Sequence, residues 1–329
     1  MEEMLILMNT QDVDSLEIAA RLAAQVKPVA FAGYVSKSFT GIKLFGDDGR
    51  IVGSARTDQW IDEIKVSPDG TMALALWRQE SSKTGLTTGR LVVSSKDGVL
   101  AKTEIRDTKF ISKVCWCGQD ILLKTDSGIL KWNCNRASRK WSLTPFAQCD
   151  GSILSEGRRF WKCQGNQLIE SIEDIPLNSI TVGAGQTACL TKIENSPFLL
   201  RGVVPDEGEK VTRVVYYLDN LQSGKETLLV DGAFGDSAML MPNTKSLLYY
   251  KWTSLLRGQL VMREFPYGQE TLIGPETRIP AAIKLGDDAV LIGEQGFTRD
   301  SLYIFRPSTK EKKPVDIRMI AAIHIGSTR

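Results

Sequence analysis

Histidine is almost missing from this sequence: His324 is the one example in 329 residues. A Ser-His-Asp or Cys-His nucleophile needs an imidazole open to a cleft. His324 lies inside the apolar run Ile320–Ile325, five residues from the end, where a histidine satisfied within or at the edge of a strand is expected. The same scarcity removes the imidazole-rich zinc and iron sites. Long apolar runs are absent as well. The longest near the start, Met4–Met8, follows Glu2 and Glu3, whereas a secretory signal has a positive start and a longer apolar stretch. No segment approaches the ~20 apolar residues of a spanning helix. The chain therefore reads as soluble and without membrane insertion, with the cytoplasm expected and the nucleus the other compartment allowed.

An excess of one charge is lacking too. Lys plus Arg is 41 and Asp plus Glu is 39, a net +2, which excludes a globally basic nucleic-acid clamp or an acidic tail but not a local patch. The 28 Gly and 12 Pro are scattered without period, which excludes collagen-like and linker-dominated chains. Six cysteines (Cys115, Cys117, Cys134, Cys149, Cys163 and Cys189) in a chain of this length without a signal read as reduced thiols. Cys115-Trp116-Cys117 matches neither spacing of a zinc knuckle. Val182-Gly183-Ala184-Gly185-Gln186 has no third glycine and no helix pattern after it, so it reads as a turn and not as a phosphate cradle. No metal and no cofactor is expected.

What is present is core material and punctuation. Apolar residues make up 42% and charged residues 24%, enough for a real hydrophobic interior. Helical period occurs convincingly once: after Asp14 and Ser15, which can cap, Leu16, Ile18, Ala19, Leu22, Ala23 and Val26 mark one face until Pro28. This helix can cap the side of the following domain or dock on a partner helix. Beyond it come short runs rich in β-branched and aromatic residues. Asp48-Gly49, Asp69-Gly70, Asp97-Gly98 and Ser127-Gly128 supply tight reversals between them. The predicted strand pairs are Gly41–Phe45 with Ile51–Ala55, Ile61–Val66 with Met72–Trp77, and Leu91–Ser95 with Val99–Ile105. Ile111–Trp116 with Ile121–Thr125, then Ile129–Trp132, continue the series.

One gesture repeats: an apolar strand, a polar turn, then a more apolar strand. It occurs at Ile61–Trp77, Ile111–Thr125, Ser152–Lys162, Ile180–Ile193, Ser237–Trp252 and Ala281–Gly293. Outer hairpins follow at Leu91–Ile105, Val214–Val230, Gln259–Ile273 and Ser301–Ile317. The segment Val66–Trp77, with Ser67-Pro68-Asp69-Gly70 as its turn, resembles the repeat signature of TolB-like and WD40-like β-propellers. That resemblance implies an all-β fold. The expected architecture is a propeller of about seven blades over residues 29–329, closed by pairing of the N- and C-terminal strands, with residues 1–28 as a strand and helix extension. The competing reading is two β-domains joined near Pro176–Gly185.

Functional signals are sparse. Asp47-Asp48 and Asp287-Asp288 sit at turn positions and read as turn formers. Lys310-Glu311-Lys312-Lys313 reads as a solvated turn. Between Lys131 and Lys162, seven basic side chains face two acidic ones, interleaved with Trp132, Trp141, Phe160 and Trp161. Trp beside Arg is the composition of an interface hot spot and of a single-strand stacking groove. Trp132, Arg136, Arg139, Lys140, Trp141, Arg158, Arg159 and Trp161 are the candidate partner-binding residues. No catalytic residue is assigned. The leading expectation is a non-enzymatic protein–protein interaction scaffold, a subunit of a larger assembly. The alternatives are a propeller enzyme, a hydrolase or lyase with a carboxylate/arginine central site, and RNA or single-stranded DNA binding through residues 131–162.

Overall fold

The computed structural model describes residues 14–36, 39–135, 140–147, 153–156, 158–164, 166–172, 175–183, 186–193, 196–204, 213–234, 238–241, 244–254, 256–265, 268–295, 300–315 and 320–327. One helix, α1 (Ser15–Val26), precedes a succession of antiparallel strands. They are β1 (Ala30–Ser36), β2 (Thr40–Phe45), β3 (Ile51–Thr57), β4 (Glu63–Val66), β5 (Met72–Glu80), β6 (Thr87–Ser95) and β7 (Gly98–Thr108). Then come β8 (Ile111–Cys117), β9 (Asp120–Thr125), β10 (Gly128–Asn135), β11 (Lys140–Ala147), β12 (Ile153–Glu156), β13 (Arg159–Gln164), β14 (Gln167–Ile172) and β15 (Ile175–Thr181). The series closes with β16 (Gln186–Lys192), β17 (Phe198–Val204), β18 (Arg213–Asn220), β19 (Glu226–Phe234), β20 (Met239–Met241), β21 (Ser246–Ser254) and β22 (Arg257–Glu264). Last are β23 (Glu270–Gly286), β24 (Ala289–Gln295), β25 (Ser301–Arg306), β26 (Glu311–Pro314) and β27 (Ile320–Ser327).

Four sheets have four strands each, in the orders β27-β1-β2-β3, β4-β5-β6-β7, β11-β10-β9-β8 and β12-β13-β14-β15. The remaining strands form an eleven-stranded sheet in which β19 meets β21 through one residue pair, Ala233 with Lys251. The chain divides into two compact units, one of residues 1–111 with 282–329 and one of residues 112–281. The competing reading, two β-domains joined near Pro176–Gly185, puts the division where it does not fall. Trp161, Cys163 and Leu168 before that stretch share one apolar cluster with Leu190 and Leu199 after it, and a shared core is what makes a single unit. Among the described residues, no helix is long and apolar enough to cross a membrane.

In the first unit, β27 pairs antiparallel with β1, Ala30 opposite Ser327 and Tyr34 opposite Ile323, so both chain ends build one sheet. The β4–β5 turn shows why its sequence reverses the chain there. Gly70 adopts φ +67°, the left-handed region that favours glycine. The Asp69 carboxylate accepts from Ser67 Oγ at 2.7 Å and from the Thr71 amide and hydroxyl at 2.9 and 2.8 Å. Partial burial pushes that carboxyl up, but these hydrogen bonds outweigh it and hold Asp69 below the usual range.

Most predicted hairpins are found in place. The exception is Ile180–Ile193: β15 ends at Thr181 and β16 begins at Gln186, in different sheets. The glycine-rich stretch between them links two sheets, and a linker of that kind uses the same turn residues as a hairpin.

Helix α1 is capped by Asp14, whose carboxylate accepts from the Leu16 amide at 3.0 Å, and it ends at Lys27 in the left-handed region. Its alanine-rich face is buried with Phe31, Ile42, Ile64, Ala73, Ala75 and Val92 of the same unit. That face is therefore spent within the molecule and is not free for a partner helix. Asp14 pairs with Arg90 at 2.6 Å and Glu17 pairs with Lys102. Leu16→Ala should cost about 2–5 kcal/mol in urea unfolding. Lys102→Ala, which breaks a half-exposed pair, should cost under about 1 kcal/mol. Comparable losses for both would mean that ion pairing, not apolar burial, holds the helix.

Candidate active site

Two polar clusters stand out, one in each unit. The first gathers where β4 begins and β27 passes it. Leu76 O accepts from the Asp62 amide at 2.9 Å, fixing the entry to β4. The Asp62 Oδ2 accepts from the Arg78 amide at 2.6 Å. Arg78 reaches back with its guanidinium, Nη2 to Glu63 Oε1 at 3.3 Å and Nη1 to the Ile111 carbonyl at 2.6 Å. His324 Nε2 lies 2.9 Å from the Asp62 carbonyl oxygen, and its ring stands edge-on to Phe31 at 5.8 Å and tilted to Trp60 at 6.2 Å. Because a carbonyl only accepts, that contact makes Nε2 the protonated nitrogen. The histidine thereby steadies the backbone that carries Asp62, on an edge strand of its sheet.

Asp62, Glu63 and Arg78 are all partly buried. Burial is the largest influence on Asp62 and pushes its carboxyl above the usual carboxylate range. The Arg78 amide, the Arg78 charge and His324 pull it back without cancelling that rise. Two neighbouring carboxylates thus have different surroundings, one held by a backbone amide, the other by a guanidinium.

The second cluster is buried. Arg201 on β17 has no exposed surface and bonds Asp219 through Nε at 2.7 Å and Nη2 at 3.4 Å. Its Nη2 also meets Glu226, whose Oε2 accepts from the Gly183 amide at 2.9 Å. Burial pushes the Asp219 carboxyl up, Arg201 opposes it, and Glu226 adds to the rise. Arg201 lies 5.0 Å over the Tyr217 ring. With Arg201 and Asp219 both at zero exposure, this network ties β17, β18 and β19 together and cannot present itself to a substrate. Access distinguishes the two clusters and favours the first.

The residues singled out between Lys131 and Lys162 are dispersed. Trp132 and Trp161 are each 1% exposed. Trp141 is half-buried and packs on Trp132 at 5.0 Å. Trp132 and Trp161 are thus interior, while among the described residues of this segment Arg158 and Arg159 are exposed, the latter paired with Glu170 at 3.2 Å. Arg136 and Arg139 lie outside the described residues, as does the side chain of Lys140. Lys131 pairs with Asp120 at 3.1 Å.

Asp48 and Asp288 act as turn residues, accepting from the Arg50 and Ser308 amides at 2.9 and 2.8 Å. Cys115 and Cys117 are buried in an apolar cluster with Phe160. Asp62, Glu63, Arg78, Arg201, Asp219 and Glu226 were all missed from sequence. The one available signal was the adjacent acidic pair Asp62-Glu63 at the head of an apolar strand.

No protein-family model and no curated protein matches the chain. Solved structures do. A protein from Bacteroides uniformis ATCC 8492, provisionally named 6-phosphogluconolactonase, is 12% identical, with 90% of this chain and 99% of that one covered and a TM-score of 0.55. Dihydro-heme d1 dehydrogenase NirN, in complex with DHE, is 12% identical over 90% of this chain and 75% of its own, TM-score 0.55. TolB from Acinetobacter baumannii is 11% identical over 90% of this chain and 66% of its own, TM-score 0.48. The resemblance to TolB-like β-propellers that the Val66–Trp77 motif implied is one of fold. The expectation of a non-enzymatic scaffold is corrected by the same comparison: the two structures at TM-score 0.55 are named as enzymes. At 12% identity they share the fold, and no particular activity transfers.

The raised Asp62 sets a direction for stability against pH. Below the unfolded value, wild type and Asp62→Asn are both neutral at this position. As pH climbs through the folded-state value, the wild type must ionise a partly buried carboxyl and loses stability that the variant keeps. The difference in Tm, variant minus wild type, should grow between about pH 3 and about pH 7. A difference that shrinks over that range would show that Asp62 is held ionised.

Proposed function

We propose that the chain is an enzyme, a hydrolase or lyase whose acid–base chemistry is carried by Asp62 with Glu63 and Arg78. The observation that supports this reading is the partly exposed Asp62 carboxyl, raised above its ordinary range beside a guanidinium that already holds a second carboxylate. Asp62 donates or accepts the proton. Arg78 stabilises negative charge developing on the substrate, and Glu63 fixes the guanidinium. His324 and the Leu76 carbonyl are positioning groups that hold the Asp62 backbone. We propose further that residues 29–329 form one propeller of seven four-stranded blades. In that count the eleven-stranded sheet divides at the Ala233–Lys251 contact and within the long strand β23, and the β1–β27 pairing closes the ring.

Purified protein should turn over at least one member of a panel of small esters, lactones and hydroxy acids. Proton release reports hydrolysis, and ultraviolet absorbance of a new double bond reports elimination. On that substrate Asp62→Asn should lower kcat by about 10²–10⁴-fold, and Arg78→Met should lower it without unfolding the chain. Equal rates for wild type and both variants would remove Asp62 and Arg78 from the chemistry.

A further inference from the structure

Strand β15 (Ile175–Thr181) is the outermost strand of the sheet β12-β13-β14-β15. Every residue from Ile175 to Ser179 is exposed, so both faces of the strand stand in solvent as well as its free edge. Ile175 is 67% and Leu177 44% exposed. Edge strands are ordinarily protected by charge, because a bare row of N–H and C=O groups recruits further strands. Four other outer strands follow that rule: β7 carries Lys102, Glu104, Arg106 and Asp107, β26 carries Glu311, Lys312 and Lys313, β3 carries Arg56 and β11 carries Lys140, whereas β27 is uncharged but has no residue described as exposed. β15 reads Ile-Pro-Leu-Asn-Ser-Ile-Thr and has no charge at all. Its one protective residue, Pro176, lacks an N–H and blunts only the start of the strand.

We propose that β15 is a self-association edge, pairing antiparallel with β15 of a second copy of this chain. Self-pairing is what an uncharged edge permits: a charged outer strand laid antiparallel on its own copy brings like charges close together, and β15 brings none. The net charge of +2 adds little repulsion between copies. With Pro176 excluded, the pairing segment is Leu177–Thr181, whose centre is Ser179. A two-fold axis there sets Ser179 opposite Ser179, Asn178 opposite Ile180 and Leu177 opposite Thr181. The contact is isologous, so it stops at a dimer.

Sedimentation of the full chain at micromolar concentrations should show a dimer. Ser179→Lys, which places two ammonium groups face to face, should weaken it at least about tenfold, while Ser179→Thr should leave it intact. Circular dichroism should be unchanged in both. Register is tested by oxidation: Ser179→Cys should cross-link, whereas Ile175→Cys should not, because the two copies of residue 175 lie ~27 Å apart although Ile175 is exposed as well. A monomer at every concentration overturns the proposal. So does a dimer indifferent to Ser179→Lys, a cross-link that forms at Ile175 and not at Ser179, or association that grows beyond two copies.

Discussion

The first unit depends on the antiparallel pairing of β27 with β1. A β-sheet leaves unpaired backbone groups along any strand that lacks a neighbour, and burying such groups costs as much as losing the hydrogen bonds. β1 is nearly all buried, with Ala30, Phe31 and Ala32 at zero exposure, so its second edge must be filled from somewhere. It is filled by residues almost three hundred positions away. Around this join Val29, Phe45, Leu285, Leu291, Leu302 and Ile325 form one apolar cluster that draws on both ends of the chain. The same join brings His324 onto the Asp62 carbonyl. Backbone satisfaction and the geometry of the candidate site therefore rest on one contact.

Much of the strand order was legible because local chemistry and global arrangement agree. Met72, Leu74 and Leu76 alternate on β5, and Ser67-Pro68-Asp69-Gly70 carries a turn whose hydrogen bonds its own side chains supply. Where local signals are degenerate, reading fails. The stretch from Val182 to Gly185 has the composition of a hairpin turn, and only the pairing of distant strands shows that it joins two sheets. β15 was hidden for another reason: an edge strand exposed on both faces has no burial to impose an alternating pattern.

The candidate site was less legible than the fold. Asp62 and Arg78 are sixteen residues apart, and their relation comes from β4 and β5 lying side by side, with Glu63 opposite Leu76. Nothing in either residue's neighbours announces it. Trp132 and Trp161 failed in the opposite direction. Their surroundings are rich in Arg and Lys, which suggested a surface, yet large rings bring so much apolar area to a core that they are drawn inward. Arg158 and Arg159 remain outside while Trp132 and Trp161 turn inward. Composition of a segment thus describes both faces of its strands at once and cannot separate them.

The distance along the chain between β1 and β27 also has a kinetic meaning. Contacts between residues far apart in sequence form slowly, since a long loop must close before they are made. During synthesis the strand Ile320–Ser327 emerges almost three hundred residues after its partner Ala30–Ser36, so the nascent chain carries an unfilled strand edge while everything between them is made. The second unit, residues 112–281, has no such debt, because its strands pair with near neighbours as they appear. Biogenesis should therefore run from the middle of the polypeptide outward, with the terminal sheet maturing last and chaperones most needed at its waiting edge.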